Sequence, residues 1–274
     1  MILPDNERIR LLAATVAATP DDNVRPAQPL YDVAENTIAR IQAERTSFID
    51  QLDVHLTTPN PGAVIHYTLD GSDPGVASPI YDPQQPPLAL TQTTTVKARA
   101  IMEGAGDRHV TTLTFAKLIP RPADQVGDAL SGLRCQYYEG EWTRLPKFDS
   151  LTAVVDTTRD SISIPEFARE EDYALKFTGY VRVPQDGVYD FYINSDDGSA
   201  LQVGDSVKAD NDGIHGDQEA SLEIALKAGY HPITVWMFQA KGGQALEVSI
   251  QGPGLEKQPL SPGMLFHTPG KEPR

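Results

Sequence analysis

From about residue 51 onward, apolar and polar residues alternate along most of the chain, which is the period of half-buried β-strands. In each run every second residue is apolar, and most of the residues between them are polar. The clearest apolar series are Leu175, Phe177, Val181 and Val183; Tyr189, Phe191 and Ile193; Leu222, Ile224 and Leu226; Ile233, Val235 and Met237; and Leu246, Val248 and Ile250. Because each strand has one apolar face, we expect sheets that pack face to face as sandwiches.

The first fifty residues have a helical period instead. One short helix is predicted to present Ile9, Leu12, Ala13 and Val16 on a single face. A second helix is predicted to begin near Asp32, which with Glu35 forms a variant of the capping box. Its apolar face would contain Ala34, Ile38, Ile41 and Phe48.

Turn signals divide the remaining chain into two β modules. Strands near Val54 and Leu56 and around Ile65 and Tyr67 are separated by turns, and Ile119-Pro120-Arg121-Pro122 is typical of a stiff linker. The predicted fold class is all-β, with two tandem β-sandwich domains and a short N-terminal helical segment. The predicted boundaries are 1–50 for the helical segment, 51–119 for the first sandwich and 130–270 for the second.

The first β module resembles a known accessory domain. The run from Ile65 to Pro74, which ends in Y-T-L-D-G-S-D-P, is followed downstream by T-V-K-A-R-A, which ends at Ala100. These motifs are similar to the immunoglobulin-like C-terminal domain of chitobiases and hexosaminidases. The resemblance covers residues 51–118 and implies a small β-sandwich that serves as a spacer or packing domain. Asp70, Ser72 and Asp73 are interpreted as turn formers, since their side chains bond their own backbone.

The second module is similar to the protective-antigen (PA14) domain over residues 130–254. The matching motifs are K-F-T-G-Y-V from Lys176, G-V-Y-D-F from Gly187, S-D-D-G-S from Ser195, and L-K-A-G-Y-H-P-I from Leu226. In sugar-binding members such as flocculin-type adhesins, the paired aspartates of the S-D-D-G loop are joined by a cis peptide bond and hold Ca²⁺, which bridges to sugar hydroxyls.

That resemblance implies a specific site in this chain. Asp196 and Asp197 match the paired aspartates, and Gln239 stands where flocculin-type members have an asparagine ligand. Hard oxygen donors of this kind suit Ca²⁺. The predicted metal ligands are therefore Asp196, Asp197, Gln239 and, from a further acidic loop, Asn211. The predicted carbohydrate-binding residues are Asp196, Asp197, Gln239, Lys241 and Gly242, although the ammonium group of Lys241 would repel a nearby cation.

Two features of this module have a second interpretation. The S-D-D-G-S segment could be a structural turn, since Asp favours turns and Gly198 tolerates a positive φ. The aromatic side chains of Tyr192, Trp236 and Phe238 lie opposite the predicted core face. They could form a sugar-stacking platform, but we expect the second sheet of the sandwich to bury them.

Composition excludes several classes of function. The chain has 274 residues and a formal net charge of −15, so it would repel nucleic-acid phosphates and anionic membranes. Its single cysteine, Cys135, permits no intrachain disulfide and is interpreted as a buried core residue. No segment is long and apolar enough to span a membrane, and the sequence from Met1 to Asp5 does not read as a signal peptide.

The sequence contains no recognisable catalytic constellation. There is no G-x-S-x-G, H-E-x-x-H, G-x-G-x-x-G or Walker motif, and acidic pairs such as Glu170-Glu171 are adjacent rather than placed across a cleft. The favoured hypothesis is a non-catalytic, Ca²⁺-dependent module that binds a glycan or polysaccharide outside the cytoplasm. The alternative is a structural or interaction module that joins other domains or subunits of a larger extracellular assembly. An independent glycosidase is the third possibility.

Overall fold

A computed structural model describes residues 38–102, 109–205 and 207–269. This part of the chain is almost entirely β, as the alternating pattern predicts. Its only helical elements are two short 3₁₀ turns, η1 (Phe148–Ser150) and η2 (Pro262–Met264). Among the described residues, no helix has the length and apolarity needed to cross a membrane.

The described chain divides into two compact units, which contain residues 38–46 with 51–116 and residues 47–50 with 117–269. The strands before residue 118 are β1 (Arg40–Gln42), β2 (Ser47–Phe48), β3 (Leu52–Thr57), β4 (Val64–Thr68), β5 (Leu88–Leu90), β6 (Thr94–Ile101) and β7 (Thr111–Lys117). In the first unit, β1, β3 and β5 form one antiparallel sheet, and β6 pairs with both β4 and β7 in another.

The core of the first unit follows the period of two. Val54 and Leu56 of β3 are buried, while the alternating residues Asp53, His55 and Thr57 are exposed. Val96 and Ala98 of β6 are completely buried in the same alternating manner. In β4, His66 is also buried, because the segment that ends at Tyr81 packs along this strand and the carbonyl oxygen of Ser78 contacts Nδ1 of His66 at 2.9 Å.

The second helix predicted for the N-terminal segment is wrong where the structure describes it. Ile41 lies in strand β1 and Phe48 in strand β2. Apolar residues three and seven positions apart are compatible with a helix face, but here they belong to two short extended segments separated by a bend. The first predicted helix, and the start of the second near Asp32, lie outside the described residues.

The second unit contains two antiparallel sheets. Its strands are β8 (Leu130–Ser131), β9 (Leu133–Glu139), β10 (Val155–Arg159), β11 (Tyr173–Val183), β12 (Gly187–Asp196), β13 (Ser199–Val203), β14 (Val207–Asn211), β15 (Gln218–Leu226), β16 (Gly229–Gln239), β17 (Ala245–Gly252), β18 (Leu255–Pro259) and β19 (Leu265–His267). The larger sheet has the order β10-β9-β11-β16-β13-β14, with β19 joined to β11 and β8. The smaller has the order β15-β12-β17-β18.

One core fills the space between these sheets. Its largest members, all almost fully inaccessible to solvent, include Tyr137, Tyr173, Tyr189, Phe177 and Phe191. Burial of such large side chains stabilises each by roughly 1.5–3 kcal/mol relative to exposure. Cys135 belongs to the same core, and burial raises the pKa of its thiol to about 12, so the side chain behaves as a small apolar residue.

The outer face of the larger sheet is also covered. A second cluster contains Tyr138, Phe148, Ala174 and Phe238, against which Trp142, Leu145 and Trp236 are partly buried. The covering layer is the irregular segment between β9 and β10 rather than another sheet. This face explains why strand β11 is buried on both sides along most of its length.

The segment predicted as a stiff linker packs on the second unit. The backbone of Arg121 bonds with that of Ala225 and Lys227, and the backbone N–H of Asp124 donates to Tyr230. The Arg121 guanidinium binds Asp205 and Asp124 and lies 3.2 Å from Nδ1 of His231. Residues 121–124 are therefore an integral part of this unit, which the two prolines alone did not indicate.

Candidate functional site

The predicted site lies at the turn between β12 and β13. Asp196 ends β12, and its peptide bond to Asp197 is cis, as the resemblance implies. Gly198 follows, and a Cβ atom there would come within 2.4 Å of the Phe238 ring and 2.6 Å of the Gly213 backbone. No side chain fits this position, so the S-D-D-G turn packs closely against two other parts of the unit.

The carboxylate of Asp197 connects three loops. Asp197 is only 2% exposed, and its Oδ2 accepts a hydrogen bond from the backbone N–H of Ala240 at 2.9 Å. Its Oδ1 accepts a hydrogen bond from the backbone N–H of His215 at 3.1 Å. The β12–β13 turn, the β14–β15 loop and the β16–β17 loop are thereby joined at one buried carboxylate.

Gln239 supports the same turn from strand β16. Its side chain is fully buried; Oε1 accepts from the backbone N–H of Asp197 at 3.1 Å, and Nε2 donates to the carbonyl oxygen of Gly243 at 2.6 Å. The predicted ligand therefore makes two hydrogen bonds to backbone. Its carbonyl oxygen keeps one further acceptor lone pair, because an amide oxygen has two.

Asp196 differs from Asp197 in exposure and in electrostatics. Its side chain is half-buried, and its pKa is raised, first by burial and then by the negative charges of Asp197 and Asp217, although His215 opposes this effect. Asp217 is held near by a hydrogen bond of 2.6 Å from Nδ2 of Asn194. The raised pKa means that the ionised form of Asp196 is disfavoured unless positive charge is supplied.

The β16–β17 loop is held along its length. The backbone N–H of Asp172 donates to Ala240, and the hydroxyl of Tyr173 donates to Oε1 of Gln244 at 2.7 Å. Gly242 has a φ of +91° and leaves no side chain at the tip, while a Cβ atom on Gly243 would lie 2.8 Å from Oδ2 of Asp196. The absence of a side chain at Gly243 therefore leaves room for the Asp196 carboxylate.

The structure places the remaining predicted residues at different depths. Lys241 and Gly242 are exposed in the β16–β17 loop. Asn211 is 3% exposed, and its Nδ2 donates to Ser195 Oγ at 3.1 Å and to the carbonyl oxygen of Gln218 at 3.0 Å. Its Oδ1 is buried and has no hydrogen-bond partner in the described structure. Asn211 is thus linked to the residue that precedes Asp196.

His215 holds the β14–β15 loop in shape. Its Nε2 lies 2.8 Å from the carbonyl oxygen of Asn211, and its Nδ1 lies 2.8 Å from that of Gly216. Burial lowers the pKa of His215, but these two carbonyls, together with Asp197 and Asp196, outweigh burial and raise it overall. Two carbonyl acceptors require two N–H donors, which only the imidazolium form provides.

The three aromatic residues do not form a shared platform. Phe238 is completely buried in the cluster beneath the 142–153 segment, and Trp236 is half-buried beside it, with Lys208 Nζ 5.6 Å from its ring. Tyr192 lies in the other sheet, where Lys257 Nζ is 4.0 Å from its ring. The prediction that the second sheet buries these side chains is wrong, because Phe238 is buried by the irregular 142–153 segment while Trp236 and Tyr192 are only partly buried.

Two family models each match a different part of the chain. Residues 45–112 match the family model of the chitobiase/β-hexosaminidase C-terminal domain, and residues 131–260 match that of the PA14 domain. The chain carries these two domains in tandem. Both are accessory domain types, and every residue of the candidate site lies in the PA14 domain.

One curated relative is a β-hexosaminidase from Porphyromonas gingivalis. It is 28% identical over 238 residues, which is 80% of this chain and 30% of that protein. The chain therefore spans less than a third of the length of this relative.

Solved PA14 structures are similar at lower identity. The PA14 domain of the antifreeze protein MpAFP is 17% identical, with a TM-score of 0.45 over 53% of this chain and 95% of that domain. The PA14 sugar-binding domain of an RTX adhesin is 17% identical, with a TM-score of 0.44 over 51% and 99% of the two chains. Epithelial Adhesin 6 A domain from Candida glabrata is 13% identical, with a TM-score of 0.42 over 53% and 90%.

Sequence reasoning missed two supports of the PA14 site. His215 was not among the predicted site residues, yet its backbone N–H donates to Asp197 and its ring stabilises the loop. Gly243 was not predicted either, although it approaches Asp196 so closely that a side chain would collide with it. The signal for Gly243 was the Gly242-Gly243 pair, whereas no local signal indicates that a backbone N–H at position 215 meets position 197.

Proposed function

We propose that this chain is a non-catalytic accessory module whose PA14 domain binds a glycan with the help of Ca²⁺ at the Asp196–Asp197 turn. The observation that carries the proposal is the placement of two adjacent carboxylates, one of them half-buried with a raised pKa. In the described part of the chain, neither carboxylate is in a salt bridge with a lysine or arginine. A bound divalent cation would supply positive charge beyond that of the His215 imidazolium.

The donor set fits Ca²⁺ in its chemistry. Ca²⁺ takes six to eight oxygen ligands. The described residues contain no group of three or more His, Cys, Asp or Glu side chains that could hold a metal by themselves, so amide and sugar oxygens would have to complete the coordination. Asp196 and Asp197 would hold the ion, with the free lone pair of Gln239 Oε1 and the unpartnered Oδ1 of Asn211 as further candidates. When bound, the ion would accept sugar hydroxyl oxygens at coordination positions that the protein leaves open.

The surrounding residues would position the sugar. Gly242 and Gly243 leave the approach to Asp196 free of side chains, and the exposed Lys241 ammonium can donate hydrogen bonds to sugar oxygens. The anchors from Asp172 and Tyr173 hold this loop in place before a ligand arrives. A preformed loop reduces the ordering cost of binding.

A structural role is the second candidate, and one observation favours it. Both oxygens of the Asp197 carboxylate accept backbone hydrogen bonds, and both ends of the Gln239 amide are also used. This network stabilises the turn with protein groups alone. In that case the module would join other domains or subunits of an extracellular protein or enzyme. The wider protein, and its location outside the cytoplasm, belong to the proposal in both cases.

A glycan-binding assay with matched variants tests the proposal. The intact chain would be applied to a panel of immobilised neutral and acidic glycans, with either Ca²⁺ or EDTA. We expect binding in Ca²⁺ that is lost in EDTA and lost in Asp196→Asn, whereas Asp160→Asn, an exposed residue away from the site, leaves it unchanged. Binding that survives EDTA and Asp196→Asn, or no binding to any glycan, would favour the structural role.

A further inference from the structure

The β14–β15 loop exposes an apolar side chain beside the candidate site. Ile214 is 61% exposed, and it lies between acidic and small polar residues in the sequence Asp210-Asn211-Asp212-Gly213-Ile214-His215-Gly216-Asp217. The other large exposed apolar residues of the PA14 domain are Val154 and Phe167, and neither is in a loop that contacts Asp197 or Gly198 in the described structure.

Both chain neighbours of Ile214 contact the carboxylate turn. The backbone of Gly213 packs on Gly198 so closely that a Cβ atom on Gly198 would lie 2.6 Å from it. The backbone N–H of His215 donates to Oδ1 of Asp197 at 3.1 Å. Consecutive Cα atoms are about 3.8 Å apart, so Ile214 is held within one residue step of both contacts.

The loop that carries Ile214 is held both by its own groups and by the segment between β9 and β10. The His215 ring joins the carbonyl oxygens of Asn211 and Gly216, and the side chain of Asp212 accepts a hydrogen bond from the backbone N–H of Leu145 at 2.7 Å. The apolar side chain is thus presented at a defined place rather than on a loosely attached loop. Ligand sites commonly combine a few orienting polar groups with apolar contacts of this kind.

We propose that Ile214 selects sugars that carry a methyl group, either in an N-acetyl substituent or as a 6-deoxy carbon, next to the hydroxyls that face the Asp196–Asp197 turn. This inference rests on the proposed glycan-binding function. The hydroxyls of the sugar would face the carboxylate turn, and its methyl group would contact Ile214 and leave water. Burial of one methyl group favours such a ligand by about fourfold in affinity.

Two pairs of sugars that differ at one substituent test the inference and separate the two sources of the methyl group. N-acetylglucosamine and N-formylglucosamine form one pair, and 6-deoxy-D-galactose and L-arabinose, which lacks only the C6 methyl group, form the other. Dissociation constants would be measured by NMR titration in saturating Ca²⁺. We expect the methyl-bearing sugar to bind about fourfold tighter in at least one pair, and the pair that shows the difference identifies the substituent.

Variants assign the preference to the residue. In Ile214→Ser the ratio of the two dissociation constants within the pair should fall to about one, while the sugar without the methyl group binds as it does to wild type. The control variant Val154→Ser should retain the wild-type ratio. Equal affinities in both pairs, or a ratio that survives Ile214→Ser, would overturn this inference and leave the proposed function standing. Absence of binding by all four sugars in Ca²⁺ would overturn the inference and count against the proposed function as well.

Discussion

The backbone N–H of Asp197 donates a hydrogen bond to Oε1 of Gln239, 3.1 Å away and fully buried. The same amide donates from Nε2 to Gly243, so one side chain connects the carboxylate turn to the β16–β17 loop. This arrangement is common to both candidate functions, because a structural turn and a Ca²⁺ site each need Asp197 to be held in place.

Replacing Gln239 should therefore destabilise the PA14 domain whether or not an ion binds. Gln239→Leu keeps the volume of the side chain but leaves the buried N–H of Asp197 unpaired, whereas the carbonyl of the exposed Gly243 can bond water instead. One buried unpaired group costs about 1–3 kcal/mol, so we expect a loss of that size in the free energy of unfolding from urea denaturation. Gln258→Leu, at an exposed position of β18, should change it by less than about 0.5 kcal/mol. Similar values for both variants would contradict the role assigned to Gln239.

Asp196→Asn should have opposite effects with and without calcium. The pKa of Asp196 is raised, so the folded state binds its proton more tightly than the unfolded state, and stability falls as the pH rises from the unfolded pKa through the folded pKa of this carboxylate. In EDTA at neutral pH, removal of the charge should leave the melting temperature unchanged or slightly higher. At a Ca²⁺ concentration of 100 times the dissociation constant, wild type should gain about 2.7 kcal/mol that the variant lacks. An equal gain for both proteins would show that Asp196 does not bind the ion.

The space beside Gly243 gives an independent test of the geometry. In Gly243→Ala the new Cβ atom would be 2.8 Å from Oδ2 of Asp196, so that carboxylate must move. We expect the affinity for Ca²⁺ to fall by about tenfold or more, which corresponds to about 1.4 kcal/mol. Gly263→Ala is the matched control, because nothing lies within 4 Å of its added Cβ atom. Unchanged affinity in Gly243→Ala would mean that Asp196 does not need its present position.

The buried His231 should make stability depend on pH. Its pKa is lowered, mainly by burial, while Nε2 lies 2.7 Å from the carbonyl oxygen of Lys227 and Nδ1 faces Arg121. With a depressed folded pKa, the unfolded state takes up the proton first. The contribution of His231 is therefore complete above about pH 6.5 and is lost as the pH falls from there through the folded pKa.

The measurement compares wild type with His231→Gln, which retains one donor and one acceptor but does not titrate in this range. The difference in unfolding free energy between the two proteins should be constant above about pH 6.5. Below that pH, wild type should lose stability relative to the variant. Taking the difference removes the titration of the other histidines, including His215, whose pKa is raised. A difference that stays constant down to pH 5 would contradict the description of the Arg121–His231 contact.

The fold was predictable wherever burial alternates along a strand. In β12, Tyr189, Phe191 and Ile193 are in the core and Tyr192 is not, so the period of two identifies both the strand and its inward face. The pattern fails where both faces are covered, because burial of Phe238 depends on an irregular segment about ninety residues earlier in the chain. It also fails for very short strands such as β1, in which three residues cannot display a period.

The site was predictable only as far as its local motif. The S-D-D-G-S segment and the double glycine indicate where the turn and the loop lie. The contacts that join them are made by backbone groups of Ala240 and His215, and a backbone N–H has no signature in the sequence. For the same reason, the packing of Arg121 on β15 and β16 could not be read from the prolines beside it.

Calcium titration by calorimetry tests the central claim most directly. Wild type, Asp196→Asn and Asp160→Asn would each be titrated with CaCl₂ after exhaustive removal of divalent ions. The proposed function predicts one saturable site in wild type and in Asp160→Asn, and none in Asp196→Asn. Absence of heat in wild type, or a site that persists in Asp196→Asn, would contradict it and leave the Asp196–Asp197 turn as a structural element of the PA14 domain.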